Sequence, residues 1–299
     1  MDQQFKLPDE MSSSDDSVRR VSDLIEEIRA DIDFELDDAV TNIVRDLPDE
    51  YFDRINRETQ VAHLKGLIAS RICELNGELF LPSTDGSQIA VLGRKTYRGQ
   101  LAFILSELPG KKTRLVGANI YTARSHGFIL DVFEFETDQT PVVDATFSEE
   151  IVEKMASQTG SDQEVIRDFL GRIRTTSVKS PNLEKLTRFF NAYQKVSVSH
   201  PAAVDQAADH DGLCDIVVAI HSQEERQTFR STAESLSGRS LDIEQAELVV
   251  VRFDKAANEP KNTRTDKVVL MNFLVSGTGA ESLNVNEWES SLTADFGAP

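Results

Sequence analysis

The stretch that decides the fold runs from Ser87 to Glu136 and reads SQIAVLGRKTYRGQLAFILSELPGKKTRLVGANIYTARSHGFILDVFEFE. Its first apolar run, residues 88–94, predicts a strand, and apolar residues then recur at helical spacing over residues 101–108. Two further apolar runs, residues 113–124 and 128–136, flank a Ser-His-Gly turn and predict a hairpin. The predicted order is strand, helix, strand, strand.

A second stretch repeats this order more loosely. Residues 216–220 predict a strand, residues 224–236 a helix, and residues 242–253 and 267–275 two strands joined by a long polar loop. The sequence after Ser276 is too short for the further helix and strand of a complete βαββαβ unit, so the second unit is expected to be incomplete. Two tandem β-α-β-β units without a catalytic motif between them favour ligand sensing over chemistry.

Composition divides the chain into five regions. Residues 1–16 are a polar, Ser/Asp-rich leader that is predicted to be disordered, and residues 17–80 are predicted to be helical. Residues 81–200 hold the first β-α-β-β unit with a helical insertion, and residues 201–212 form an acidic, turn-rich linker. Residues 213–299 hold the second unit and a tail. The expected fold class is α+β, with a helical N-terminal region followed by two ferredoxin-like units.

Apolar residues at helical spacing predict further helices, and one alternating segment predicts a strand. The predicted helices cover residues 18–32, 34–44, 57–75, 147–173 and 183–193. The fourth of them is expected to break near Gly160. Val196 to Ser199 alternates between apolar and polar residues and predicts the closing strand of the first unit.

The charge and the cysteine content restrict the partners and the compartment. The 299-residue chain has a formal net charge of −19, which argues against nucleic acid and anionic lipid as partners because both repel an acidic protein. No apolar run reaches the roughly 20 residues that a membrane-spanning helix needs. The N-terminus lacks the pattern of a secretory signal. Two cysteines outside any CxxC motif are typical of a reducing compartment, so a cytoplasmic location is expected.

One local signal is specific enough to suggest a family. Leu47-Pro-Asp-Glu-Tyr-Phe52, followed by Thr59-Gln-Val-Ala-His-Leu64, resembles the entry to the regulatory part of the large NAD-specific glutamate dehydrogenases and of PII uridylyltransferase. Small amino-acid-sensing ACT domains follow this segment in both families. Residues 118–124 and 129–135, the latter with a Leu-Asp-x-Phe pattern, are similar to the second and third strands of an ACT domain.

The resemblance implies an effector site at the turn after the first strand. The turn keeps a glycine and a leucine but lacks the acidic residue and the proline of the family pattern. The expected ligand-binding residues are Arg98, Gly99, Gln100, Leu101 and Asn119. Backbone N–H groups at a helix N-terminus suit a carboxylate, Gly99 allows close approach, Arg98 adds a charge-assisted bond, and Asn119 suits the ligand's amino group. The alternative is a tight surface turn that binds nothing.

No catalytic, cofactor or metal motif is present. The chain has no GxGxxG fingerprint, no nucleotidyltransferase motif and no nucleophile elbow, so no catalytic residue and no cofactor is expected in this chain. The cluster of Asp205, Asp209, His210 and Asp211 has no metal-ligand spacing and is interpreted as a solvated linker. His63 is interpreted as a packed or surface histidine, with a functional role as the alternative.

These observations predict a regulatory region of an NAD-dependent glutamate dehydrogenase whose catalytic domain lies outside the chain. Its expected partners are an amino-acid effector, a second copy joined through the ACT-like sheets, and a downstream catalytic domain. Trp288, a single aromatic residue in the acidic tail, either marks a contact with that domain or does not, and both alternatives stay open. The alternatives are a stand-alone amino-acid-binding regulator without enzymatic activity and an assembly module that binds nothing. Whether the chain belongs to an enzyme stays open at this point.

Overall fold

The structure of the chain, a computed structural model, describes most of the sequence. The described residues are 23–24, 26, 42, 44–72, 78–94, 97–108, 114–123, 127–137, 143–144, 147–175, 182–197, 199–207, 213–222, 224–252, 267–278 and 283–297. The predicted leader and most of the helices predicted over residues 18–32 and 34–44 lie outside them. Leu24 and Val44 are described from those two helices, and both are helical and buried.

The described part of the chain contains eight helices and ten strands. The helices are α1 (Asp49–Arg54), α2 (Arg57–Ile72), α3 (Gln100–Glu107), α4 (Glu149–Thr159), α5 (Gln163–Gly171), α6 (Leu183–Lys195), α7 (Glu225–Gly238) and α8 (Val285–Phe296). The strands are β1 (Leu79–Pro82), β2 (Gln88–Arg94), β3 (Leu115–Ala123), β4 (Phe128–Phe135), β5 (Val143–Asp144), β6 (Ile173–Thr175), β7 (Ala202–Gln206), β8 (Leu213–Ser222), β9 (Asp242–Arg252) and β10 (Lys267–Ser276). The fold class is α+β, as predicted.

The strands form one hydrogen-bonded sheet with the order β1-β2-β4-β3-β9-β10-β8-β7, and β5 pairs with β6, which pairs with β9. The pairs β1–β2, β7–β8, β8–β10, β9–β10, β5–β6 and β6–β9 are all antiparallel. The two predicted β-α-β-β segments are confirmed as β2-α3-β3-β4 and β8-α7-β9-β10. Each is preceded by a helix and a strand, so the order α-β-β-α-β-β occurs twice.

The strand order of the second segment reverses that of the first. One half of the sheet has the order β1-β2-β4-β3, and the other half has the order β9-β10-β8-β7. The two halves meet at β3 and β9, which are neighbours. We refer to residues 57–135 as the first repeat and residues 183–276 as the second repeat.

Contacts divide the chain into two compact units whose boundary runs across β3 and β4. Of the described residues, one unit comprises those within 23–94 and 120–133, and the other comprises those within 97–119 and 134–297. The predicted domain boundaries follow sequence regions instead and stay predictions. Each unit has its own apolar core, which is described separately below.

The core of the first of these units lies between helices and strands that come from different parts of the chain. Helices α1 and α2 pack on one face of β2, β3 and β4. Gly66 lets α2 approach β1 closely, because a Cβ at this position would lie 2.4 Å from Leu81 Cδ1. The Gln60 side-chain amide donates to the carbonyl oxygens of Phe52 (3.0 Å) and Ile55 (2.6 Å), which closes the corner between α1 and α2.

The other unit has helices on both faces of its strands. Helices α4, α5 and α6 pack on residues of β8, β9 and β10 that share one face, among them Val217, Val251 and Leu270. On α7, Phe229 lies 5.8 Å from the ring of Phe273 in β10, whose sequence parity puts it on the opposite face from Leu270. Helix α4 ends as predicted at Gly160, which adopts a left-handed conformation.

The chain after β10 contains a helix where the sequence predicts only a tail. Trp288 on α8 is fully buried, donates its indole N–H to Ser235 Oγ (3.0 Å) and lies 5.9 Å from the Arg239 guanidinium. The Glu289 carboxylate accepts the Val204 N–H (2.7 Å), so α8 covers part of the edge strand β7. The tryptophan therefore packs inside this chain, which favours the alternative in which Trp288 does not mark a contact with a separate domain.

The edge strand also lies at a different place from the predicted one. Val196 to Ser199 does not form a strand over its described residues, because Ser197 and His200 exchange backbone hydrogen bonds of 2.9 and 3.2 Å and the chain turns. The Ser197 hydroxyl also accepts the His200 N–H (3.0 Å), a bond that competes with strand pairing. The strand forms after the turn, as β7, within residues 201–212 that were expected to be a linker.

Candidate functional site

The turn before α3 has the glycine conformation that an effector loop needs. Gly99 has φ +87° and ψ 5°, in the left-handed region, and its carbonyl oxygen accepts the Phe103 N–H (3.1 Å). A Cβ on Gly99 would lie 3.7 Å from Ser237 Oγ, an ordinary contact distance. Glycine is therefore required here by the backbone angle rather than by lack of space.

The residue before α3 is a glycine, which has no side chain to cap the helix. Gly99 makes no side-chain cap, and the first turn of α3 carries no acidic residue. Helices α5, α6 and α8 differ, since Asp162, Asn182 and Asn284 accept backbone N–H groups at their starts. The first N–H groups of α3 keep the partial positive charge that favours an anion.

Two of the predicted ligand-binding residues have inaccessible side chains. Gln100 and Leu101 are buried at the start of α3, so only their backbone N–H groups are suited to a ligand. Asn119 lies in the middle of β3 and is half-buried between two buried neighbours, Ala118 and Ile120. It belongs to the same compact unit as the turn. A shared role of Asn119 and Arg98 stays a prediction.

Arg98 lies beside a carboxylate from the second repeat. Its Nε is 3.4 Å from Asp242 Oδ1, and its Nη2 is 3.5 Å from Asp242 Oδ2. The side chains of Arg98 and Asp242 are 42% and 30% exposed. Asp242 begins β9, which neighbours β3 in the sheet. Nothing in the sequence indicates this pairing, because 144 residues separate the two positions.

An exposed aromatic pair flanks the same turn. Tyr97 and Phe103 are each 47% exposed, and their rings lie 6.4 Å apart in an edge-to-face arrangement. Phe103 is one helical turn from Gly99, and Tyr97 directly precedes Arg98. Among the described residues, the only other large hydrophobic side chain with comparable exposure is Val165. The sequence did not reveal the pair, because Tyr97 lies in a polar turn and Phe103 lies in the apolar run of α3.

The C-terminal end of α3 is attached to α7 of the second repeat. The Arg226 guanidinium donates to the carbonyl oxygens of Leu105 (2.8 Å) and Leu108. Burial lowers the pKa of Arg226 below its ordinary value. The last carbonyl groups of a helix have no partner within the helix, so Arg226 supplies one. Residues of the second repeat thus contact both ends of α3.

The motif that carries the family resemblance is part of an apolar core. Tyr51, Phe52 and His63 are all buried, and Tyr51 packs edge-on against Tyr121 with ring centroids 5.5 Å apart. The Tyr51 hydroxyl lies 3.4 Å from His63 Nδ1. Burial lowers the pKa of His63 to about 4 and raises that of Tyr51. This geometry favours the interpretation of His63 as a packed histidine.

The described residues hold neither a metal cluster nor a membrane span. No three or more His, Cys, Asp or Glu side chains among them lie close enough together to hold a metal ion. Asp205 pairs with Arg188 at 3.2 Å, while residues 209–211 of the acidic cluster lie outside the described part. None of the described helices has both the length and the hydrophobicity needed to cross a bilayer.

Comparisons with known proteins leave the family open. No model of a known protein family matches this chain, and no curated protein sequence is significantly similar to it. The resemblance to glutamate dehydrogenases and to ACT domains stays a prediction from the residues that carry it.

Proposed function

We propose that this chain is a regulatory module that binds an amino-acid effector at the Gly99 turn and belongs to an NAD-dependent glutamate dehydrogenase system in the cytoplasm. The observation that carries the proposal is the left-handed glycine turn at the start of α3, faced by Ser237 and Asp242 of the second repeat. This arrangement offers N–H donors and an arginine to a carboxylate.

The strand order supports an ACT-like assignment for both repeats. In a ferredoxin-like βαββαβ unit, the first strand lies between the third and the fourth, and the third lies between the first and the second. The orders β2-β4-β3 and β8-β10-β9 agree with that arrangement, and β1 and β7 take the position of the fourth strand. Because β1 and β7 come before the other strands of their repeats in the sequence instead of after them, the proposed units are rearranged ACT-like units.

Oligomerisation through the sheets is part of the same proposal. At one end of the strand order, α8 covers β7, and Glu289 accepts a backbone N–H of that strand. At the other end, β1 carries half-buried apolar side chains, Leu79, Phe80 and Leu81. If two copies pair through their sheets, we expect the contact at β1 rather than at β7.

The test is thermal unfolding of the chain with each of the twenty amino acids, with NAD and ATP as controls. A ligand at 100 times its dissociation constant stabilises the folded state by about 2.7 kcal/mol, which gives a clear increase in Tm. Arg98→Ala should remove that increase. The matched control is Arg230→Ala, which removes an arginine from an exposed pair with Glu234 and should keep it.

Each outcome decides between the functions considered. An increase with one amino acid that depends on Arg98 supports the effector module. An increase with NAD contradicts the absence of a cofactor site. No increase with any amino acid contradicts effector binding and favours the assembly module, in which the contacts between α3 and α7 serve only to hold the repeats together.

A further inference from the structure

Two pairs of side chains lie at the same end of α3 and extend the proposed effector site. One is the pair Arg98–Asp242, in which the two charged groups come from different repeats. The other is the pair Tyr97–Phe103, whose rings are exposed next to it. The cation suits the α-carboxylate of an amino acid, the anion suits its α-ammonium group, and the exposed rings suit an apolar side chain.

The contact between Arg98 and Asp242 is weak enough to open for a ligand. Its distances of 3.4 and 3.5 Å exceed the 2.7–2.9 Å of a strong charge-assisted bond, and both groups are hydrated. Arg188 and Asp215 form the contrasting case, with a 2.7 Å contact at an arginine that is only 12% exposed. A zwitterion placed between Arg98 and Asp242 would pair its carboxylate with Arg98 and its ammonium group with Asp242. Each side chain would thus exchange one partner of opposite charge for another.

The turn itself contains no negatively charged side chain to pair with an ammonium ion. Residues 97–100 read Tyr-Arg-Gly-Gln and include no carboxylate. Asp242 reaches the turn from β9 and lies beside Arg98, so the second repeat supplies the missing negative charge. The site is therefore complete only when both repeats are present.

Resting on the proposed function, we propose that the effector is a free L-amino acid with an aromatic or branched apolar side chain. Arg98 binds its α-carboxylate, Asp242 binds its α-ammonium, and its side chain packs on Tyr97 and Phe103. Charge complementarity selects a zwitterion over a simple acid or amine, and the exposed rings select an apolar side chain over a polar one.

The experiment measures dissociation constants by calorimetry with three probes. L-Phenylalanine carries all three features, 3-phenylpropanoate lacks the ammonium, and L-alanine lacks the large side chain. The variants are Asp242→Asn and Phe103→Ala. The control is Glu234→Gln, which neutralises a carboxylate in an exposed i,i+4 pair with Arg230.

Asp242→Asn should weaken L-phenylalanine by about tenfold or more, the value of a lost charge-assisted bond, and change 3-phenylpropanoate by less than about twofold. Phe103→Ala should reduce the preference for L-phenylalanine over L-alanine, and Glu234→Gln should change nothing. Circular dichroism of each variant confirms that it is folded.

The inference and the proposed function fail in different ways. Unchanged L-phenylalanine affinity in Asp242→Asn overturns the inference while an effect of Arg98→Ala still supports the effector site. Binding of a polar or acidic amino acid in place of L-phenylalanine also overturns the inference alone. If none of the twenty amino acids binds the wild-type chain, the proposed function is wrong and the inference is wrong with it.

Discussion

Protonation of His63 should destabilise the folded chain in mild acid. The imidazole is buried beside Tyr51, whose ring packs on Tyr121, and burial is the cause of the shift in its pKa. Burial lowers the pKa from its ordinary value of 6.5 to about 4. In the unfolded chain the same imidazole is hydrated and binds a proton near its ordinary pKa.

The sign and the size of the effect follow from this difference. Between pH 6.5 and pH 4 the unfolded state binds the proton and the folded state does not, so the free energy of unfolding falls as the pH falls. Above pH 6.5 His63 is neutral in both states and its contribution does not change with pH. A pKa difference between 6.5 and about 4 is worth about 3 kcal/mol, reached when the pH approaches 4.

The assay is urea unfolding of the wild type and of His63→Asn between pH 4 and pH 7.5. The asparagine amide occupies the place of Nδ1 beside the Tyr51 hydroxyl without titrating. Carboxylates destabilise both proteins equally in acid, so the informative quantity is the stability difference between them. Between pH 7.5 and pH 4 the wild type should lose about 3 kcal/mol more of its free energy of unfolding than His63→Asn does.

A stability difference between the wild type and His63→Asn that stays constant over the whole range would refute the reasoning. It would mean that His63 titrates alike in the folded and unfolded states, and hence that the corner between α1 and α2 does not bury it.

Three further substitutions test the contacts around α3 and α8, each by urea unfolding. Gly99→Ala should lower the free energy of unfolding by about 1–2 kcal/mol, because alanine is strained at a φ of +87°. Gly171→Ala, at a helical position with open space, should not lower it, and equal effects of the two would contradict the left-handed turn. Arg226→Met should lower the free energy of unfolding by about 1–3 kcal/mol, because it removes the donor to the last carbonyl groups of α3. Arg230→Met, on the exposed side of α7, should lower it by less than about 0.5 kcal/mol. Similar costs for both would count against the contact between Arg226 and α3. Trp288→Ala should cost about 3–5 kcal/mol as a buried side chain, and a cost below about 1 kcal/mol would show that α8 is not packed.

Local patterns predicted the helices and strands that depend only on neighbouring residues. The strand over residues 88–94 coincides with β2, and the helix break near Gly160 coincides with the end of α4. The ends of β8, β9 and β10 lie within three residues of the ends of the predicted segments. Periodicity and turn residues are properties of short windows, so a single sequence contains them in full.

The same patterns failed where the partner of a segment decides its conformation. Residues 202–206 are acidic and turn-rich in context, yet they form β7 because β8 offers an antiparallel partner and α8 covers the other side. Helix α8 was missed because its apolar residues are few, and its stability comes from burying Trp288 beside α7. Weak local propensity was overridden by long-range packing in both cases.

For the candidate site, the sequence by itself determined the turn, the glycine and the arginine. Gly99 was predicted from the resemblance of its turn to the ACT-domain turn between first strand and first helix, and its positive φ is one that glycine adopts readily. Only the tertiary structure decided what the turn faces. The reversed strand order puts β3 beside β9 and so brings Asp242 to Arg98 across 144 residues. A contact of that separation depends on which strands become neighbours, and strand neighbours are chosen by the packing of the whole sheet rather than by any local pattern.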